Sequence, residues 1–120
     1  MRFMCIITAP QSGANAGPPP PKMIEAMHKL RDREIKAGRM LDDGGLMPLA
    51  GGARVNVADG RVKVLDGPFP EAKEVIGGYA IFELPGKEEA VALAVEFMQL
   101  HVDFMAGWEG TCEVRAFAGP

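Results

Sequence analysis

Val64-Leu65-Asp66-Gly67-Pro68-Phe69-Pro70-Glu71-Ala72-Lys73-Glu74, followed at once by Ile76-Gly77-Gly78-Tyr79, joins two strand-like runs through a turn stiffened by two prolines. Each proline fixes its own φ and restricts the residue before it, so the connection is rigid. Asp66, Glu71, Lys73 and Glu74 concentrate ionisable groups beside that backbone. Upstream, Ala53-Arg54-Val55-Asn56-Val57 and Val62-Lys63-Val64-Leu65 flank Asp59-Gly60, a strong short-range hairpin signal. Downstream, Gly78 to Leu84 reads as a further strand, and Pro85-Gly86 turns into a helix over about 87–105. Glu88 and Glu89 stand in its first turn, where the helix dipole favours negative charge. A last alternating strand covers Thr111 to Phe117.

Toward the N-terminus, Arg2 to Thr8 is a nearly continuous apolar run, the pattern of a buried strand. The Pro/Gly-rich stretch 10–21 has no apolar anchor and reads as a flexible loop, either a tolerated surface insertion or a lid. A helix is expected over about 20–37. Met23, Met27 and Leu30 form its apolar stripe, flanked by Ile24 and Ile35, and Glu25–Lys29 and Asp32–Lys36 are acid-to-base i,i+4 pairs on the wet face. Arg39 to Pro48 reads as a strand, in which Gly44-Gly45 signals a bulge or a close backbone approach.

The order β-α-β-(hairpin)-β-α-β suits an α+β ferredoxin-like sandwich, both helices on one face of an antiparallel sheet. The other face needs cover, and a partner's sheet in a homodimer is the expected solution. The 120 residues make one domain, 48% hydrophobic and 24% charged, in the range of globular chains. A net charge of −3 gives no attraction to phosphate backbones, so no nucleic-acid partner is expected. No apolar run reaches membrane-spanning length and no secretory signal is evident, so the expected location is the cytoplasm and no membrane partner is expected. Cys5 and Cys112 lie in strand-like runs outside any CxxC pair, so no metal site and no cofactor is expected; they read as buried thiols that could be sheet neighbours.

Asp66-Gly67-Pro68-Phe69, Glu71-Ala72-Lys73-Glu74, Gly77-Gly78-Tyr79, Glu89-Ala90 and the closing Glu109-Gly110-Thr111-Cys112-Glu113-Val114-Arg115 resemble the YCII-related family and, within it, the DGPF subgroup. The resemblance implies a dimeric α+β barrel. It also implies small-molecule chemistry at an Asp and a His near a pocket, or a regulatory association with sigma-factor-dependent transcription. The Pro-rich loop after the first strand departs from the group.

Asp66 is the first catalytic candidate, as a general acid or base at the mouth of a dimer pocket; the competing reading is a turn aspartate bonded to its own backbone. His101, on the apolar side of the second helix, is either a satisfied core residue or the base that Asp66 orients. Lys73 would anchor a substrate carboxylate, with Glu71 and Tyr79 as further substrate-binding candidates; the alternative is a solvated charge cluster. His28 is expected at the edge of the charged face, in solvent. Trp108 and Phe104 are expected to cap a dimer contact. Function divides three ways: acid/base chemistry of lyase, isomerase or hydrolase type on an unknown small polar metabolite, non-catalytic metabolite binding by a regulatory dimer, or a protein-interaction module.

Overall fold

The computed structural model describes residues 1–10, 17–69 and 73–119. Part of the expected flexible loop (11–16) and Glu71 lie outside the described residues. The elements are β1 (Arg2–Pro10), α1 (Pro21–Lys36), β2 (Met40–Gly45), β3 (Ala53–Ala58), β4 (Arg61–Asp66), β5 (Glu74–Glu83), α2 (Lys87–Phe104) and β6 (Thr111–Ala116), with a short 3-10 turn at Leu49–Gly51. Four strands form one antiparallel sheet in the order β2-β5-β1-β6. With α1 and α2 on a common face, this is the expected ferredoxin-like α+β arrangement. β3 and β4 pair only with each other, as a separate two-stranded sheet.

Local chemistry accounts for the elements. Asp59 (φ 53°) and Gly60 (φ 72°) both take the left-handed conformation that a two-residue type I′ hairpin turn requires. α1 opens on Pro21, whose missing N–H has no helical partner at that position. It closes with Arg39 N–H donating to the Glu34 carbonyl at 3.0 Å. β2 is shorter than the expected 39–48, and β5 begins four residues before the expected Gly78, at Glu74. In β5 the partner of Ile7 is Gly78 and that of Thr8 is Ile76, so Gly77 is the extra residue of a bulge that lets pairing continue past both glycines. In β2 the bulge falls at Leu41, not at the glycines. Gly44 instead marks a close approach: a Cβ there would lie 3.0 Å from the Tyr79 ring.

The core sits between the inner sheet face and the helices. Phe3 (2% exposed) faces Phe82 across β1 and β5, and Cys5, Leu84 and Ala90 complete the cluster. Ala90 and Ala94 are the small residues by which α2 lies close to the sheet. On the opposite face Met4, Ile6, Tyr79 and Ile81 are only half-buried. Met23 is fully buried on α1 as its stripe requires, whereas Ile24 and Ile35 are exposed. Of the two expected i,i+4 pairs, Glu25–Lys29 closes at 3.3 Å; Asp32–Lys36 is not among the ion pairs of the described residues. The β3–β4 hairpin has Val55 opposite Val64 and Val57 opposite Val62, all four well exposed. No helix among the described residues is long and apolar enough to cross a membrane.

Candidate functional site

A cavity of about 880 Å³ lies between the two helices and the inner sheet face. α1 contributes Met23, Met27, Leu30, Arg31 and Glu34, which recur every three or four residues and so share one helix face. α2 contributes Leu93, Ala94, Phe97 and His101 on the same principle. Cys5, Ile7, Ala80 and Phe82 form the floor, Trp108 closes one end, and Pro10, Gly17 and Pro19 bring the described ends of the Pro-rich segment to the wall. The site is therefore mostly apolar with a few convergent polar groups, the usual composition of a small-molecule pocket.

His101 is the best-defined of those groups. It is 7% exposed, stacks against Trp108 with ring centroids 4.1 Å apart, and meets Phe97 edge-on at 4.9 Å. Its Nδ1 lies 3.1 Å from the Phe97 carbonyl oxygen. A carbonyl only accepts, so Nδ1 carries the proton and Nε2 holds the lone pair. No buried side-chain nitrogen or oxygen among the described residues lacks a partner, and Nε2 has none, so Nε2 is accessible. Burial lowers the His101 pKa, against a smaller opposing effect of the Phe97 carbonyl, which keeps the ring neutral at pH 7.

Arg31 and Asp43, both lining the cavity, form an ion pair. Arg31 Nε donates to both Asp43 carboxylate oxygens, at 3.1 and 2.9 Å. The Tyr79 side chain stands on the outer sheet face, where its hydroxyl donates to Asp42 at 3.1 Å; that hydrogen bond, with the charge of the carboxylate, raises the Tyr79 pKa. His28 is exposed at the rim, as expected.

Glu34, in the wall, anchors an ionic network that sequence reasoning missed. Glu34 is 0% exposed; its oxygens accept from Arg39 Nε and Nη2 (both 2.7 Å) and from Arg33 Nε (2.9 Å). Arg33 in turn grips Glu96 of α2 with both terminal nitrogens, at 2.6 and 2.7 Å. The Arg39 hydrogen bond is the main cause that holds the Glu34 carboxyl below the ordinary range. The available signal was an acid on the apolar stripe, at the next position after Met23, Met27 and Leu30, with Arg33 and Arg39 close in sequence.

Cys5 and Cys112 are the sheet neighbours allowed for above. Cys5 pairs with Val114 and Ile7 with Cys112, which makes the two free thiols diagonal neighbours on the inner face. The Cys112 thiol hydrogen-bonds to Cys5, and this, with burial, raises the Cys112 pKa.

The remaining candidates divide. His101 stands in the cavity wall, whereas the Tyr79 side chain lies on the outer sheet face beside Asp42. Asp66 is exposed at the end of β4 and Lys73 is exposed just before β5; neither belongs to the wall. Within one chain, then, Asp66 does not orient His101. The nitrogen that such a carboxylate would hold, Nδ1, is already taken by a carbonyl of the same helix one turn back.

Gly110 secures the far end of the site. A Cβ on it would fall 2.7 Å from one atom of the Trp108 ring and 2.8 Å from the Thr8 carbonyl oxygen. Gly110→Ala is expected to cost about 1–3 kcal/mol and to displace Trp108 from His101. Thermal unfolding and the fluorescence of Trp108, the single tryptophan, check the two effects.

No curated protein matches the chain. A family model, that of the YCII-related domain, matches residues 1–97, from β1 into α2 and up to the residue whose carbonyl holds His101, and the chain belongs to that family.

Proposed function

We propose that this protein is a cytoplasmic homodimer of the DGPF subgroup whose cavity binds a small organic metabolite and carries out acid/base chemistry on it, of lyase, isomerase or hydrolase type. The observation that carries this reading is His101: a neutral ring of fixed tautomer, buried in the wall, with an accessible Nε2. Nε2 would take a proton from the bound molecule, and the Phe97 carbonyl would stabilise the imidazolium that forms. Because burial lowers the His101 pKa, the base form persists to a lower pH than in a free histidine. The homodimer is supported by the half-buried Met4, Ile6 and Ile81 on the outer sheet face and by the exposed valines of the hairpin. A radius of gyration of 16.1 Å also exceeds the roughly 14 Å expected of a compact chain this long. Asp66 and Lys73 would enter such a site only from the second copy, so their part in the chemistry depends on the dimer.

The second reading is a non-catalytic metabolite-binding dimer, with a sigma-factor-linked regulatory role as its natural setting. It is favoured by the internal pairing of Arg31 with Asp43 and of Tyr79 with Asp42. Incubating the protein with a metabolite extract and following the loss of individual compounds by mass spectrometry separates the two. The enzyme reading expects a compound to be consumed by the native protein, and to be bound but not consumed by His101→Gln. Retention of a bound, unaltered compound by native protein, His101→Gln and Asp66→Asn alike would leave the regulator. Ultracentrifugation tests the dimer independently.

A further inference from the structure

The polar groups of the cavity wall are not equivalent, and the difference points to a ligand class. Glu34 is saturated by Arg33 and Arg39. The Tyr79 hydroxyl is turned to the outer sheet face and bound to Asp42, and the proton of His101 is bound to a carbonyl. Arg31 differs: Asp43 engages it through Nε alone, and neither terminal nitrogen has an acceptor among the described residues. Asp43 thus fixes the plane of the guanidinium and leaves the end-on fork of Nη1 and Nη2 uncommitted. A guanidinium fork matches the two oxygens of a carboxylate. The wall beyond it is hydrocarbon, from Met27, Leu30, Leu93 and Phe97 to the ring of Trp108.

We propose that the cavity selects an organic monocarboxylate with an apolar body, its carboxylate held by the terminal nitrogens of Arg31 and its body lying between the helices toward His101. This rests on the reading of the cavity as the ligand site and names its substrate class. The fork alone would also accept a phosphate monoester. Asp43, carrying its own negative charge within 3.1 Å of the Arg31 Nε, disfavours a dianion there more than a monoanion. A cation would meet Arg31 itself.

Four octyl probes, octanoate, octanol, octylamine and octyl phosphate, present one tail with different heads. Binding to the native protein, followed by calorimetry, is expected to be tightest for octanoate, by about tenfold or more over octanol, as charge-assisted hydrogen bonds predict. In Arg31→Gln that preference is expected to collapse while octanol binding is unchanged. Arg31→Lys, which keeps the charge but not the fork, is expected to recover only part of it. Thermal unfolding confirms that both variants are folded. Equal binding of octanoate and octanol, or tighter binding of octyl phosphate, would overturn the proposal and leave the cavity as an apolar site. If no probe binds at all, the reading of the cavity as a ligand site fails with it. If octanoate binds equally to native protein and Arg31→Gln, selection lies elsewhere and the role of Arg31 is refuted.

Discussion

Arg39→Met is expected to lower the urea-unfolding midpoint clearly at pH 7, because it strips a buried carboxylate of its main partner, although Arg39 itself is 44% exposed and partly screened by solvent. The Glu34 carboxylate is inaccessible to water and takes two of its three hydrogen bonds from Arg39. Without Arg39 it retains only Arg33, whose terminal nitrogens are already occupied by Glu96. The pH dependence distinguishes charge from packing. The folded pKa of Glu34 is depressed, so the pair's contribution is fully present above the unfolded carboxyl value, about 4.3, and is lost as pH falls through the folded value. Native protein and variant should therefore differ most at neutral pH and converge on acidification. Urea unfolding at pH 7 and in the acid range measures this. A gap as wide in acid as at pH 7 would mean that the arginine acts through its hydrocarbon stem. Replacing the pair together, as Glu34→Leu with Arg39→Met, is expected to recover much of the loss, because no buried charge then remains to be compensated.

Phe3→Ala is expected to have the other large effect, about 3–5 kcal/mol. Phe3 lies on β1, a central strand of the sheet, opposite Phe82 and within the cluster that includes Leu84 and Ala90. Truncating it leaves a void bounded by strand backbone on one side and by α2 on the other, neither of which can collapse freely into it. Denaturant unfolding gives the loss directly. A cost under about 1 kcal/mol would show that the core repacks, contrary to the close packing of protein interiors.

The sequence made the local features legible and left the convergent ones hidden. Asp59-Gly60 announced its turn because the required left-handed pair is a property of those residues alone. Both helices and the strand alternation were readable for the same reason, and their order is enough to suggest the sheet topology. The pairing of β3 with β4 was legible in the Asp59-Gly60 hairpin signal, but that they join no strand of the main sheet was not, since pairing with the sheet is a matter of partners distant in sequence. The site shows the same division. His101 could be placed on the apolar side of its helix by spacing, but the carbonyl that sets its tautomer and the tryptophan that covers it are tertiary facts. Arg31 and Asp43 looked like unremarkable surface charges, twelve positions apart, until β2 ran back alongside α1. Asp66 drew notice through its conspicuous neighbours, yet a rigid turn says nothing of what lies across from it in space.

The separateness of the β3–β4 hairpin has a thermodynamic consequence. A two-stranded ribbon with no covering layer is marginal on its own in water. Its amides should therefore open through a local transition far below the global unfolding free energy, while those of β1 and β5, central in the sheet, should exchange only when the whole chain unfolds. Hydrogen-exchange mass spectrometry would then resolve the chain into a fast-exchanging hairpin and a slow-exchanging sandwich. If the two copies of a dimer clasp this ribbon, its exchange rate becomes a function of protein concentration, and dilution alone would release it.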